Sequence, residues 1–214
     1  MAYQYYLFDF DGTLVDSMPS WISKMMHILH RAGVSYPENV IEIITPLGDK
    51  GTAEYFIREL GVPLTVSKMI AEMDEVALPA YRDKIPLKAG VYDALHRLRE
   101  KGYHLAVLTA SPHRMLDPCL KRTGVYDLFD FVWSCEDFGM TKGEVEIYRV
   151  AAREMQTTVD KVAFFDDNIN AVGTAKAAGM YAVGVYDPSG DGFNAALRST
   201  CDFYLEDFDG FNGL

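Results

Sequence analysis

Cysteine is scarce in this chain of 214 residues: Cys119, Cys135 and Cys201 are the only three, too far apart for a CxxC pair or a Cys/His cluster. That argues against a disulfide framework or a structural zinc site and leaves buried small hydrophobes in a reducing compartment. Long apolar runs are missing too, and none approaches the ~20 residues needed to span a bilayer. The opening MAYQYYLFDFD has no basic segment and meets acids within a few residues, so it does not read as a secretory signal. Cytoplasmic residence is expected. Positive charge is in short supply, with 20 Lys and Arg against 31 Asp and Glu and a net charge of −11. Nucleic acid and anionic membrane are therefore poor partners, since both need a basic stripe. A phosphate-bearing ligand would have to be drawn in by local groups or a bound cation, not by the overall field. No internal repeat or low-complexity tract is present.

What is there alternates. Runs at 3–10, 103–110, 161–167 and 181–186 are nearly continuously apolar, as strands covered on both faces of a parallel sheet should be, with shorter candidates at 129–134 and 202–207. Helical patterns at 90–101, 112–123, 143–155 and 168–178 fall between them and end near Gly or in polar turns, such as Gly102, Gly124 and Gly179. This order predicts an α/β fold, a doubly wound parallel sheet with right-handed crossovers. Residues 16–84 break the rhythm: they hold helical stretches and no convincing strand, far more chain than one crossover needs. An inserted helical domain over 16–84 is expected, with the α/β core made from 1–15 and 85–214. Trp21, Met25, Met26, Phe56, Met69 and Met73 fall at helical spacing and suit the core of that insert.

The quartet Asp-Phe-Asp-Gly occurs twice, at 9–12 and 207–210. The first follows an apolar strand and opens into a loop, where ligands of open α/β sheets bind. The second is followed by only four residues and is expected to be a solvated C-terminal turn. Three other strand-end or loop positions offer matching chemistry: Thr109 in AVLTAS, Lys142 in GMTKGEVEIY, and Asp166 and Asp167 in VAFFDDNINAVGTAKAAGM. So many clustered acids repel one another unless a hard dication offsets them, and oxygen-only ligands suit Mg2+. Taken singly, Thr109 can cap a turn, Lys142 can be a solvated amine and Asp166 can cap the next helix.

Taken in order, DFDGTLVDS, LTAS, the Lys142 position and FFDDNINAVGTAKAAGM resemble the four motifs of the haloacid dehalogenase-like hydrolases. The insert after the first motif resembles the small helical cap of phosphoglycolate-phosphatase-like members, so the resemblance covers nearly the whole chain. It implies a Rossmann-like core and a Mg2+-dependent phosphatase acting through an aspartyl-phosphate. Asp9 would be the nucleophile, and Asp11 the general acid and then base. Gly12 would permit the tight turn, Thr109 and Ala110 would meet the phosphoryl group, and Lys142 would balance its charge. Asp9, the main-chain carbonyl of Asp11, Asp166 and Asp167 would hold the metal. Three positions depart from the family pattern: Ala110 stands where many relatives have Asn, Gly143 where Pro is common, and Asn170 where a second acid often lies.

Asp11 narrows the reaction, because relatives that cleave carbon–halogen or carbon–phosphorus bonds lack an acid there. Lys50, in the insert, is a candidate for an anionic substrate group, and residues 45–51 are expected to influence specificity. A β-phosphoglucomutase-like enzyme with the same two aspartates is an alternative, as is a phospho-acceptor signalling domain without turnover. His27, His30, His96 and His104 read as packing or surface residues, while His113 can line the mouth of the site. The expected partner is a small phosphorylated metabolite, and the expected state is a monomer or homodimer.

Overall fold

The computed structural model describes residues 3–214, so the first two residues of the expected core segment lie outside it. Six strands form one parallel sheet: β1 (Tyr5–Phe8), β2 (His104–Thr109), β3 (Phe131–Ser134), β4 (Val162–Asp166), β5 (Tyr181–Val185) and β6 (Phe203–Leu205). Their spatial order is β3-β2-β1-β4-β5-β6. This doubly wound order reverses direction between β1 and β4, which opens a crevice beyond their carboxyl ends.

Period-two alternation explains why the apolar runs are continuous. Tyr6, Phe8, Leu105, Val107 and Phe165 face one cluster, and Leu7, Ala106, Leu108 and Phe164 face another. Both faces are thus dry, as crossover helices require. The first is covered by α5 (Val91–Glu100) and α6 (His113–Arg122), and by Phe208 and Phe211. The second is covered by α8 (Val145–Glu154) and α9 (Ile169–Ala178), through Ile147, Tyr148, Ala151 and Ala175. Each fully buried Phe in these layers stabilises the fold by about 1.5–3 kcal/mol.

Between β1 and α5 the chain forms α1 (Met18–Ala32), α2 (Val40–Ile44), α3 (Gly48–Arg58) and α4 (Val66–Asp83). Trp21, Met25, Phe56, Met69 and Met73 pack in a cluster of their own. Ala77 and Tyr81, in the last turns of α4, instead join the cluster beneath the sheet. Short helices α7 (Cys135–Phe138) and α10 (Asn194–Thr200) complete the chain. No helix among the described residues is long and apolar enough to cross a membrane.

The second quartet differs from the expected solvated turn. Asp207 and Asp209 are exposed, but Phe208 is buried and its ring meets those of Phe8, Phe165 and Phe211. The turn also lies against Gly90, where a Cβ would fall 2.4 Å from the Phe208 carbonyl carbon. An aromatic between two acids buries itself and leaves the acids wet.

Candidate active site

β1 ends at Phe8, and the Asp9 N–H continues the ladder by donating to the Phe165 carbonyl of β4 (2.8 Å). Asp9 and Asp166 are thereby fixed at adjacent strand ends, both buried. Lys142, in the segment before α8, reaches between them: Nζ donates to Asp9 Oδ1 (2.5 Å) and to Asp166 Oδ2 (2.7 Å). Its main chain is held by the buried Tyr148, whose hydroxyl donates to the Lys142 carbonyl (2.9 Å) and the Ala171 carbonyl (3.1 Å). The other Asp166 oxygen accepts the Asn168 N–H (2.7 Å), and Asn168 in turn caps α9. Asp166 is therefore not the cap of that helix.

Carboxylate oxygens of Asp9, Asp166 and Asp167 lie within 4.8 Å of one another. Asp167 is tied to the first turn by Thr13, whose hydroxyl donates to Oδ1 (3.2 Å) and accepts the Asp167 N–H (3.1 Å). Gly12, at φ +73°, leaves the space for it, since a Cβ there would fall 2.5 Å from Asp167 Oδ2. Three acids lie together with one ammonium, which bonds Asp9 and Asp166 only, and the charges respond. The Asp9 carboxyl is raised to about 8, chiefly by burial, with Lys142 opposing the rise and Asp166 and Asp11 adding to it. Burial also holds Asp167 well above the ordinary range, with Asp166 and Asp9 adding to it. For Lys142 burial opposes the charge, but Asp166 and Asp9 outweigh it and keep the ammonium's pKa well above its usual value. A cluster of hard oxygens with surplus negative charge fits a small divalent cation such as Mg2+.

Asp11 follows the strand and is held on both oxygens. Tyr81 of α4 donates to Oδ1 (2.5 Å) and Ser111, in the loop after β2, donates to Oδ2 (2.5 Å). Thr109 is buried at the end of β2, where its hydroxyl accepts the Ser111 N–H (3.0 Å). The turn-capping role is thus real for this residue. Ala110 beside it is exposed.

Two candidates lie apart from this network. Lys50 is exposed on α3 and makes no ion pair among the described residues. His113 begins α6 and pairs with Asp117 (2.8 Å) and Asp137 (2.9 Å), carboxylates outside the cluster. The hydrogen bond to Asp117 raises its pKa most, and Asp137 adds to the rise.

Four contributors carried no role in the sequence reading: Thr13, Tyr81, Ser111 and Tyr148. Thr13 and Ser111 sit inside the quoted motifs, so position alone could have flagged them. The two tyrosines leave no local signal. Lys88 is a fifth: Nζ donates to the Gly12 carbonyl (2.7 Å), the Tyr186 carbonyl (2.6 Å) and buried Asp187 (3.0 Å), bracing the first turn against the end of β5. A cavity of about 290 Å³ opens beside Lys88, Asp187 and Phe208; Asp9, Asp166 and Lys142 do not line it.

With this geometry in view, the comparisons with known proteins are informative. Residues 6–185 match the haloacid dehalogenase-like hydrolase family. Among similar proteins is a phosphorylated carbohydrates phosphatase of Thermotoga maritima, 24% identical and aligned over 87% of each chain. Among solved structures, the CbbY protein of Rhodobacter sphaeroides in complex with xylulose-(1,5)bisphosphate superimposes with a TM-score of 0.83, at 22% identity over 99% of this chain and 97% of that one. A β-phosphoglucomutase of Clostridium difficile gives a TM-score of 0.79 at 16% identity, over 97% of this chain and 92% of that one.

Proposed function

The chain belongs to the haloacid dehalogenase-like hydrolases, and within that family we propose that it is a phosphatase hydrolysing a small phosphorylated metabolite through an aspartyl-phosphate. One observation carries this reading: Lys142 bridges Asp9 and Asp166 at neighbouring strand ends, with Asp167 beside them and Asp11 two residues on. The similar phosphatase of phosphorylated carbohydrates supports the substrate class.

Asp9 attacks phosphorus, forming an O–P bond as the bond to the leaving alcohol breaks. Asp11 gives its proton to the departing oxygen. Water then attacks the aspartyl-phosphate, Asp11 takes the water's proton, and inorganic phosphate leaves with Asp9 regenerated. Lys142 holds Asp9 in line and places a fixed positive charge where negative charge gathers. Thr109 and the turn at Gly12 receive the phosphoryl oxygens, with Ala110 alongside. Asp9, the main-chain carbonyl of Asp11, Asp166 and Asp167 would hold Mg2+, which when bound offsets the crowding of phosphate against carboxylates. The insert over 16–84 is read as a cap, a view supported by its separate hydrophobic cluster. Lys50, being exposed, remains the candidate for a distal anionic group of the substrate. Three free cysteines, two of them buried, support a cytoplasmic setting.

A signalling domain without turnover is disfavoured by the sheet order, which differs from the 2-1-3-4-5 order typical of flavodoxin-like receiver folds. A panel of sugar, polyol and short-acid phosphate esters, assayed for phosphate release with Mg2+ and with chelator, tests the proposal. Release that depends on Mg2+ is expected. Conversion of glucose 1-phosphate to glucose 6-phosphate without free phosphate would establish the mutase instead.

A further inference from the structure

We propose that Tyr81 and Ser111 are positioning residues that clamp Asp11 from its two sides and orient it toward the leaving oxygen. The inference rests on Asp11 being the acid and base of the reaction proposed above. A free aspartate samples several orientations about its two side-chain bonds. Here each oxygen is claimed by a different hydroxyl, from residues 70 and 100 positions away, which leaves the carboxylate one orientation.

Both donors are themselves fixed. Ser111 is held through its N–H on Thr109, so one short loop serves both the phosphoryl group and the acid. Tyr81 is buried against Phe10, with ring centroids 6.0 Å apart. Its helix is lashed to α6 at several points. Arg122 donates to the carbonyls of Tyr81 (3.4 Å), Arg82 (3.0 Å) and Ile85, and Arg114 pairs with the buried Asp74. Although Tyr81 lies within the insert by sequence, its hydroxyl belongs to the frame of the sheet.

The clamp is compatible with proton transfer. With Asp11 ionised, both hydroxyls donate to it. Each carboxylate oxygen has two lone pairs, so Asp11 can carry its proton on one that faces the leaving oxygen while Ser111 and Tyr81 keep donating to the others.

The test compares kcat/KM for glycerol 3-phosphate and p-nitrophenyl phosphate in Tyr81→Phe and Ser111→Ala. This parameter covers the steps up to aspartyl-phosphate formation. In them an alkoxide needs the proton of Asp11, whereas nitrophenolate leaves without it. Each variant is expected to lose about 30-fold on the alkyl ester and about threefold on the aryl ester, the size of a misaimed general acid. Ser111→Thr, which keeps the hydroxyl, should restore most of the loss. Equal losses on the two esters, or none on either, would overturn the clamp. Should Tyr81→Phe fold poorly, the partly exposed Ser111 carries the test alone. Asp11→Asn, measured in parallel, separates the layers: if it too treats both esters alike, Asp11 is not the acid and the reading beneath the clamp falls.

Discussion

The two Asp-Phe-Asp-Gly quartets are a controlled comparison within one molecule. Both follow a parallel strand, both bury the aromatic (Phe10 and Phe208), and both end on a glycine of nearly equal φ, +73° at Gly12 and +71° at Gly210. Their acids have opposite fates. Asp9 is buried against Lys142, whereas Asp207 and Asp209 are exposed, and an Asp207 oxygen merely accepts the Asp209 N–H (2.8 Å). The glycine's backbone region and the buried aromatic are thus shared, and neighbourhood differs. β1 lies between β2 and β4, whose ends bring Thr109 and Asp166 beside the first quartet. β6 is an edge strand with β5 alone beside it. A strand-end carboxylate becomes a chemical group where the sheet order surrounds it with partners.

The largest contrast should appear in turnover. Asp9→Asn is expected to lower kcat on any accepted ester by about 10⁴-fold or more, the scale seen when a nucleophile is removed. Asp207→Asn should stay within about twofold, since an exposed side chain away from the chemistry changes little. Similar losses in both would erase the distinction.

Stability should reverse the emphasis. Phe208→Ala is expected to cost about 3–5 kcal/mol by denaturant titration, because it opens a cavity among packed rings. A loss below about 1 kcal/mol would mean that the C-terminal turn is as loosely held as its acids suggest.

The glycines sharpen the comparison further. Gly210→Ala faces open space, so only the left-handed backbone opposes it, at about 1–2 kcal/mol. Gly12→Ala carries the same backbone cost and also drives a methyl into Asp167. It should lose activity and weaken Mg2+ binding by calorimetry, whereas Gly210→Ala should do neither.

The smallest effect concerns a charged pair outside both quartets. His113 has its folded pKa raised, chiefly by Asp117. The stabilisation is therefore full below its unfolded value and lost as pH rises through the folded one. Because the side chain is 40% exposed, solvent screening keeps this under ~1 kcal/mol. The stability gap between the parent and His113→Gln should narrow from about pH 6 to pH 8. A constant gap would mean that the pairs to Asp117 and Asp137 contribute nothing.

Much of this arrangement was legible in the chain itself. Runs such as VAFFDD announce a doubly buried strand because parallel sheets dry both faces, and β4 (Val162–Asp166) lies inside that run. The acids at its end and at the end of β1 were legible for the same reason, as polar residues where an apolar run stops. Tyr81 and Tyr148 were not. Each is an aromatic at an ordinary helical position, and its hydroxyl acquires meaning only from a partner on another element. The burial of Phe208 is not legible either, because nothing in the residues around it shows that the turn packs under Phe8 and Phe165.

By itself, the sequence settled where the strands and the longer helices lie and which strand ends carry acids, since apolar runs and caps act over a few residues; the short helices α7 and α10 carry no such apolar run. Which groups meet is a matter of tertiary structure: the motif resemblance implied that Asp9, Lys142 and Asp166 converge, but the residues themselves do not show it. Lys142 joins Asp9 across 133 residues, and Tyr81 joins Asp11 across 70. Such meetings depend on the order in which strands return to the sheet, a long-range choice made by the burial of whole faces and left unmarked in any short stretch of chain.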